Sequence, residues 1–545
     1  MSKISHHHDH YRSPSSKRNS LSHFLFNLFV ILFVIHSHHH LHHWVESASS
    51  PIRTTTSTTS FIQNGTTLVP KQTLTHTRTT TSSYVPVYIM MPLNTVNNDG
   101  SLNNPSQIRA NLQKVKSVGT DGIMIDVWWG ICEQNAPQSY NFTAYQQLFT
   151  MCQQIGLKVE PVMSFHQCGT NIGDAAYIPL PKWVLQVGQF NPDIFYTDQN
   201  GHRDREYLSL GVDHVAVFPT SVPGKNRTAV DIYSDFMTAF RNTFSSFIQS
   251  GVIDVIEIGL GPAGEMRYPS YQLQNNLWSF PGIGAFQCYD KYMLNNLAQA
   301  ARNVGHPEWG TAGPNDAGYY NSMPYQTGFF SDSTYNNYAS NYGQFFLNWY
   351  SGMLIQHGSA ILQQARSIFG KNVKLAGKIA GIHWWYFTDS HAAELTAGYY
   401  NLPSYDGYGA IAQMFSQYDV DFEFTCMEMI DSQQPSNCAC GPEELVALTR
   451  STAWKYGLDY GGENALDIEG NTQANEQIVK QASSNGKTIS GFTYLRMSDT
   501  LLNSSYNFNI YAQLVNQLHN LEFLEGHSKK LSMLIQELKK NTRIS

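Results

Sequence analysis

Eight apolar runs recur between residues 85 and 495, and they constrain the fold more than any other feature of the sequence. The runs are rich in β-branched and aromatic residues and lack the regular polar alternation of a strand with one solvent-exposed face. They cover residues 85–93, 122–130, 157–166, 252–258, 373–379, 421–426, 458–466 and 489–495. Strands of this type usually belong to a parallel sheet that is covered on both faces.

Helical patterns separate most of these runs and lead to a prediction of the fold. The clearest patterns cover residues 105–118, 142–155, 342–368, 442–456 and 473–485. Strands that alternate with helices indicate an α/β protein, and eight such units predict a (β/α)8 TIM barrel. A doubly wound sheet is the alternative, but no Gly-x-Gly-x-x-Gly turn follows the first run, and the sequence contains no P-loop. Residues 266–372 are too many for one helix, so we expect long loops that form a small lobe over the C-terminal face.

Polar residues follow the predicted strands at equivalent positions. In a TIM barrel the functional groups gather where the strands end, on the C-terminal face. A satisfied polar group at a strand end is the ordinary explanation for any one of these residues, but so many at matching positions favour a shared site. The candidates are Asp126, His166, Glu265, Lys378, His383, Thr425, Glu463 and Arg496.

Glu265 has the most informative surroundings of these candidates. It follows the apolar run at 252–258 and lies in the stretch 259–269, which is rich in Gly and Pro. Few polar groups are available there to solvate a charge, and burial disfavours the ionised form of a carboxyl group. Such a group can act as a general acid, although a solvated glutamate at a strand end is the alternative.

Long motifs at the strand ends resemble the β-amylase family, the inverting exo-hydrolases of glycoside hydrolase family 14. The resemblance extends from about Val85 to His519. The motifs are DVWWG at 126–130, FHQCG at 165–169, GLGPAGEMRY at 259–268, GIHWWY at 381–386, HAAELTAGYY at 391–400, FTCMEM at 424–429, GENAL at 462–466 and FTYLR at 492–496. The resemblance implies a (β/α)8 catalytic domain that acts on α-1,4-glucans such as starch, glycogen and maltooligosaccharides.

The resemblance also implies which carboxyl groups react. Inverting hydrolysis needs an acid and a base on opposite faces of the sugar, roughly 6.5–9.5 Å apart, with room for a water molecule. By resemblance Glu265 is the general acid and Glu463 is the general base. They follow the fourth and seventh strands, which lie on opposite sides of a barrel mouth. Glu428 competes for the role of base, but the resemblance favours Glu463 and leaves Glu428 as a structural ion-pair partner.

Further residues match positions of the family that bind substrate. By resemblance Asp174 lies at the tip of a mobile lid, and its neighbouring glycines fit a hinged loop. Thr425 matches an inner-loop residue that stabilises the acid's carboxylate after proton transfer. The positions expected to contact sugar are Asp126, His166, Lys378, His383, Asn464, Ala465 and Arg496.

Composition excludes several other classes of function. The net charge of -7 and the lack of a basic stripe argue against nucleic-acid binding. Cys438 and Cys440 are too close together for the usual zinc ligand pair, and the sequence has no second pair. The histidine clusters at 6–10 and 36–43 are more typical of low complexity than of metal binding. The resemblance to the β-amylase family implies that the cleft needs neither a metal nor an organic cofactor, and the sequence identifies no protein partner.

The first residues predict entry into the secretory pathway. Basic residues precede an apolar run at 24–35 that is short for a membrane span and typical of a signal peptide. We predict a signal peptide or an uncleaved signal anchor at 1–48, a Ser/Thr-rich linker at 49–83, the catalytic domain at 84–520 and a basic tail at 521–545. The mature protein would then be secreted, with no stable membrane span. Glycosylation sequons at Asn64, Asn141, Asn226 and Asn503 agree with this interpretation.

Two other functions are compatible with the same fold. A catalytically inactive glucan-binding or regulatory protein is one, because a fold alone does not establish activity. The presence of Glu265, Glu463, Asp174 and Thr425 together favours an active enzyme that releases β-maltose from non-reducing ends. A retaining glycosidase is the other, and it would require carboxyl groups only about 5–5.5 Å apart.

Overall fold

Strands and helices alternate along the chain, as the sequence predicts. The computed structural model describes residues 84–521 except 170, 172, 274–275 and 332–334. The predicted signal peptide, the linker and the tail beyond Leu521 lie outside these residues. The strands in chain order are β1 (Val87–Met90), β2 (Gly122–Trp128), β3 (Lys158–Ser164), β4 (Phe195–Thr197), β5 (Arg203–Leu208), β6 (Phe218–Pro219), β7 (Asn226–Arg227), β8 (Val255–Ile258), β9 (Lys374–Ile379), β10 (Val420–Phe424), β11 (Tyr460–Glu463), β12 (Ser483–Ser484), β13 (Lys487–Thr488) and β14 (Gly491–Tyr494).

Eight of these strands close into a parallel barrel, which confirms the predicted TIM-barrel fold. Their order around the barrel is β1, β14, β11, β10, β9, β8, β3 and β2, and β2 pairs again with β1. Each barrel strand corresponds to one of the eight apolar runs. Because all eight strands run in the same direction, their carboxyl ends meet at one rim, where the candidate residues gather.

The α-helices follow the predicted patterns closely where those patterns were strong. The structure begins α1 at residue 105 and its long helix α8 at residue 341, within one residue of the predicted starts. The helices are α1 (Pro105–Ser117), α2 (Trp129–Cys132), α3 (Thr143–Ile155), α4 (Lys182–Phe190), α5 (Ala229–Thr243), α6 (Ser245–Gln249), α7 (Lys291–Asn303), α8 (Asn341–Phe369), α9 (Ala392–Ala397), α10 (Gly407–Tyr418), α11 (Pro442–Lys455), α12 (Thr472–Gln481), α13 (Asp499–Asn503) and α14 (Ser505–His519).

Side-chain caps fix where several of these helices start. The Ser340 hydroxyl accepts a hydrogen bond from Gly343 N and begins α8, and the Asp290 carboxylate accepts from Tyr292 N and Met293 N at α7. Such caps satisfy backbone donors that have no partner inside the helix, and each stabilises it by about 1 kcal/mol. The prediction for residues 266–372 did not include α7, which buries Met293, Leu297 and Ala301 along one face.

A second long insertion lies between β3 and β8, and its structure shows no clear signal in the sequence. It contains α4, the antiparallel pair β4 and β5, and the short pair β6 and β7. These strands are too short to show a periodic pattern. The insertion brings the side chain of Glu206, in β5, against the loop that carries Glu265, because Ala263 N donates to Glu206 at 2.8 Å.

The core is more charged than the apolar runs indicated. Glu160 in β3, Glu257 in β8 and Lys378 in β9 are all buried. Burial, reinforced by Glu257, raises the pKa of Glu160 to about 8, and burial also raises the pKa of Glu257 to about 7. Buried charges persist where they are paired, and Lys378 lies close to the carboxyl groups around it. Within the described part of the chain, the helices are too short or too polar to cross a membrane.

Candidate active site

The general-acid candidate, Glu265, sits in a tightly folded turn after β8. A short 3-10 helix at Pro262–Gly264 follows the strand and leads directly into Glu265. A Cβ atom on Gly261 would lie 2.4 Å from Glu265 O and 2.9 Å from Arg267 O, so only glycine fits there. Glu265 then pairs with Lys378 as an isolated parallel bridge, and Met266 N donates to Lys378 O at 2.8 Å. The backbone of Glu265 is therefore fixed against the end of β9.

A buried arginine contacts the carboxyl group of Glu265. Arg267 Nε donates to Glu265 Oε2 at 2.6 Å, and the two side chains are 1% and 13% exposed. The expectation that Glu265 has few polar neighbours is therefore wrong. Residues two apart in an extended segment point to the same side, and this spacing is the signal that could have revealed the pair. The 13% exposure of the Glu265 side chain leaves it partly accessible to a ligand.

The general-base candidate, Glu463, is the last residue of β11 and contacts a different cation. Lys378 Nζ lies 3.0 Å from Glu463 Oε2 and 3.6 Å from Glu257 Oε1. Burial raises the pKa of Glu463, whereas the charge of Lys378 opposes that rise. Burial by itself would lower the pKa of Lys378. The negative charges of Glu257 and Glu463 outweigh this effect, so the pKa of Lys378 is raised. The ammonium group is therefore held charged beside the candidate base.

The two candidate carboxyl groups share one site. Glu265 lies near enough to Lys378 and Glu463 to influence the pKa of each, although strands β9 and β10 lie between the two glutamates in the sequence. Each carboxyl group has its own cation, Arg267 for Glu265 and Lys378 for Glu463. Two carboxyl groups held apart by separate partners can take different protonation states, which is what acid–base chemistry requires.

Two further predicted residues lie on the neighbouring strand ends. Asp126, in β2, accepts a hydrogen bond from Ser164 Oγ at 2.7 Å, and burial raises the pKa of Asp126. Burial, aided by Arg267 and Lys378, lowers the pKa of His166 to about 3, so its imidazole stays neutral near pH 7. Within the described residues His166 Nδ1 has no hydrogen-bond partner. Asp126 and His166 therefore offer a carboxylate and a neutral ring nitrogen to a polar ligand.

The loop after β3 carries the predicted lid residue Asp174. Its carboxylate accepts hydrogen bonds from Gly169 N at 2.7 Å and Asn171 N at 3.0 Å. Gly169 and Gly173 adopt positive φ angles of 114° and 86°, which glycine tolerates without strain. Thr170 lies outside the described residues.

A cleft of about 780 Å³ runs beside this loop at the barrel rim. Three predicted residues line it, namely Asp174, Ala465 and Arg496. Arg496 Nη1 donates to Met91 O at 3.1 Å, which fixes the guanidinium group at the end of β1. A cleft with polar groups at a barrel rim is the usual place for a ligand.

His383 lies in the loop after β9, and a second loop supports it. The side chain is buried, and this burial lowers the pKa of His383 to about 4. Gly441 N donates to His383 O at 3.0 Å, and Trp385 N donates to Cys438 O at 2.8 Å. Cys438 and Cys440 form a disulfide bond, which the sequence analysis did not predict.

Thr425 and Cys426 form a strained inner loop after β10. Thr425 is buried, and Cys426 has a φ angle of 68°. A residue other than glycine in this region costs of order 1–3 kcal/mol, and such strain often occurs at functional sites. A Cβ atom on Gly381 would lie 2.4 Å from Cys426 Sγ, so the loop packs directly against the backbone before His383.

Glu428 has a different role from the one expected. The described structure gives it no ion pair; instead its carboxylate accepts hydrogen bonds from Ala465 N at 3.0 Å and Leu466 N at 2.7 Å. The prediction of an ion-pair partner is therefore wrong, because backbone donors satisfy this side chain. Burial raises the pKa of Glu428 to about 7. Glu428 holds the segment that directly follows Glu463.

Asn464 is buried, and its side-chain amide forms hydrogen bonds with backbone groups. Its amide group donates to Leu466 O at 2.8 Å and Leu495 O at 2.6 Å and accepts from Leu495 N at 2.8 Å. A contact between Asn464 and substrate therefore stays a prediction and would involve its main chain. Among the residues that the structure describes, no group of three or more His, Cys, Asp or Glu side chains is arranged to hold a metal ion.

Comparison with known proteins identifies what this chain is similar to. The sequence profile of glycosyl hydrolase family 14 matches residues 88–522. The chain is 47% identical over 465 residues to a β-amylase of Glycine max, covering 84% of this chain and 91% of the relative. It is also 47% identical over 467 residues to β-amylase 5 of Arabidopsis thaliana, with the same two coverages. The crystal structure of the catalytic domain of a β-amylase from Paenibacillus polymyxa matches with a TM-score of 0.65 and 28% identity, covering 80% of this chain and 99% of that one.

Proposed function

Because the chain belongs to glycosyl hydrolase family 14 and functions as a β-amylase, we propose that Glu265 and Glu463 catalyse hydrolysis of α-1,4-glucosidic bonds with inversion. The substrates are glucans of the starch and glycogen type, and the product is β-maltose from non-reducing ends. The observation that supports these roles best is the separate pairing of the two carboxyl groups with Arg267 and Lys378.

The proposed reaction moves two protons. Glu265 donates a proton to the glycosidic oxygen as the bond from that oxygen to the anomeric carbon breaks. Glu463 accepts a proton from a water molecule, whose oxygen attacks the anomeric carbon from the opposite face. Lys378 favours the ionised form that Glu463 needs as a base. The cycle closes when Glu463 releases its proton to solvent and Glu265 takes one up. An acid or a base of this kind typically contributes about 10²–10⁴-fold to the rate.

The other predicted residues have supporting roles in this proposal. Asp126, His166, Lys378 and His383 bind the glucose units nearest the non-reducing end, and Asp174 closes over them to exclude bulk water. Neutral imidazoles at His166 and His383 suit hydrogen bonds to hydroxyl groups, since each can donate from one nitrogen and accept at the other. Thr425 stabilises the carboxylate of Glu265 after proton transfer.

Single replacements of the two glutamates test the proposed roles. We expect Glu265→Gln and Glu463→Gln each to lower the rate of maltose release from maltoheptaose by at least about 10²-fold. Glu444→Gln, at an exposed position of α11, is the matched control and should retain the wild-type rate. Substantial activity in either Gln variant would contradict the role assigned to that residue. The inactive, glucan-binding alternative is disfavoured by the extent of identity to the named β-amylases.

We further propose that the chain enters the secretory pathway. The apolar run at 24–35 supports this, and the sequon residues Asn141, Asn226 and Asn503 are exposed, as glycosylation requires. Expression in a eukaryotic secretory host should give protein in the medium, with a mass that falls on treatment with an N-glycosidase. Sequencing of the mature N-terminus would separate a cleaved signal peptide from a signal anchor. Retention of unglycosylated protein in the cytosol would contradict the proposal.

A further inference from the structure

Different nitrogen atoms of the Arg267 guanidinium group donate hydrogen bonds to Glu265 and to the loop that carries Asp174. Nε donates to Glu265 Oε2 at 2.6 Å, and Nη2 donates to Asn171 Oδ1 at 3.0 Å. The group also lies over the ring of Tyr271, 4.3 Å from its centroid. At 1% exposure, Arg267 has little freedom to reorient by itself. Its direction is therefore set by the groups around it.

The amide of Asn171 is fixed in turn by a buried carboxyl group. Asn171 Nδ2 donates to Glu206 Oε1, and the same oxygen accepts from Ala263 N at 2.8 Å. Glu206 is buried, so this contact is shielded from solvent. A continuous chain of hydrogen bonds thus runs from Glu206 through Asn171 and Arg267 to Glu265.

Asn171 also belongs to the segment that carries Asp174. Asn171 N donates to the Asp174 carboxylate at 3.0 Å, between two glycines at positive φ. A displacement of Asp174 would therefore act on Asn171 through this backbone hydrogen bond. A change in the orientation of the Asn171 amide would in turn alter one of the hydrogen bonds that orient Arg267.

We propose that Arg267 is a positioning residue that couples the loop of Asp174 to the general acid. This inference rests on the proposed function, in which Glu265 donates the proton. With Asn171 in place, the guanidinium group orients the carboxyl group of Glu265. It then stabilises the carboxylate that remains after the proton moves to the glycosidic oxygen. Lysine cannot replace arginine here, because a single ammonium group cannot reproduce the fixed fork that reaches both partners.

Two substrates with different leaving groups distinguish this role from a structural one. Maltoheptaose needs a proton on its leaving oxygen, whereas α-maltosyl fluoride loses fluoride with little help from an acid. We expect Arg267→Lys and Asn171→Ala to lower kcat on maltoheptaose, Arg267→Lys by roughly 10²-fold. Both variants should hydrolyse α-maltosyl fluoride at close to the wild-type rate. Arg302→Lys and Asn303→Ala, on the exposed end of α7, are the matched controls.

The double variant tests the coupling itself. If Asn171 acts through Arg267, adding Asn171→Ala to Arg267→Lys should cause little further loss on maltoheptaose. Equal losses on both substrates, or fully additive losses in the double variant, would overturn the proposal. Activity on the fluoride also shows that a variant is folded. If Arg267→Lys does not fold, Asn171→Ala tests the proposal alone, because Asn171 is only half-buried. A loss of activity on maltoheptaose but not on α-maltosyl fluoride supports the proposal, and equal losses on both substrates overturn it. A wild-type protein that releases no maltose would instead contradict the proposed function.

Discussion

Replacement of Lys378 by methionine should destabilise the fold and raise the pKa of the candidate base, Glu463. The ammonium group lies 3.0 Å from Glu463 and 3.6 Å from Glu257. Coulomb's law gives roughly 5 kcal/mol for each contact at an effective dielectric constant of about 20. The variant also avoids the cost of burying the lysine, so the net loss in the free energy of unfolding should be about 3–5 kcal/mol near pH 7.

The sign of the pH dependence follows from the two carboxyl groups left behind. Burial already raises the pKa of Glu463 and that of Glu257, the latter to about 7, and Lys378 opposes both shifts. Without Lys378 both pKa values rise further in the folded state. A raised carboxyl pKa means that the folded state takes up protons as the pH falls, so the stability deficit shrinks at low pH. Because Glu463 then ionises only at higher pH, the acid limb of kcat/KM also moves to higher pH.

Two measurements check this prediction. Urea unfolding should show a smaller loss in the free energy of unfolding at pH 5 than at pH 7. The acid limb of kcat/KM on maltoheptaose should move to higher pH. Lys158→Met, at the exposed first position of β3, is the matched control. A deficit that is equal at both pH values, together with an unshifted acid limb, would refute the electrostatic role of Lys378.

Three further predictions concern the loops around the site. Gly261→Ala should lower kcat/KM at least about 10-fold, because a Cβ atom would meet Glu265 O at 2.4 Å and misplace the acid; Gly352→Ala, which meets no atom within 4 Å, should retain activity. Iodoacetamide should react slowly with Cys168 and Cys426, since burial raises the pKa of both thiols, and verified alkylation should lower activity. Asn464→Ala should lower the free energy of unfolding by about 1–3 kcal/mol in urea titration, because it removes three hydrogen bonds to partly buried backbone groups of Leu466 and Leu495. Rapid alkylation, or an Asn464 variant as stable as wild type, would contradict these accounts.

The barrel could be predicted from sequence because its signal is local and repeated. Most barrel strands are buried along nearly their whole length, as β2 is at Gly122–Trp128, and lie within apolar runs of the sequence. The start of α8 was predicted for a similar reason, since a long helix shows its periodicity many times. Strand ends in a parallel barrel share one rim, so Glu265 and Glu463 could be assigned to one site before their surroundings were known.

The partners of these residues could not be predicted, because they depend on distant contacts. Glu428 was expected to form an ion pair, but the turn after β11 brings the backbone donors of Ala465 and Leu466 to it. Glu206 lies in a short hairpin whose strands show no periodic pattern in the sequence. It accepts a hydrogen bond from Ala263, in the loop before Glu265, although the two residues are 57 positions apart. Arg267 was visible two residues from Glu265, yet its contact with Asn171 depends on how two loops fold over the rim.

The anomeric form of the first maltose released tests the central claim most directly. Proton NMR of fresh maltoheptaose with purified wild-type protein should show the β-anomer signal first, with the α-anomer growing only through mutarotation. That result would support attack by water on the face opposite the leaving group, with Glu265 as the acid and Glu463 as the base. Early α-maltose would contradict inversion and with it the roles proposed for both carboxyl groups.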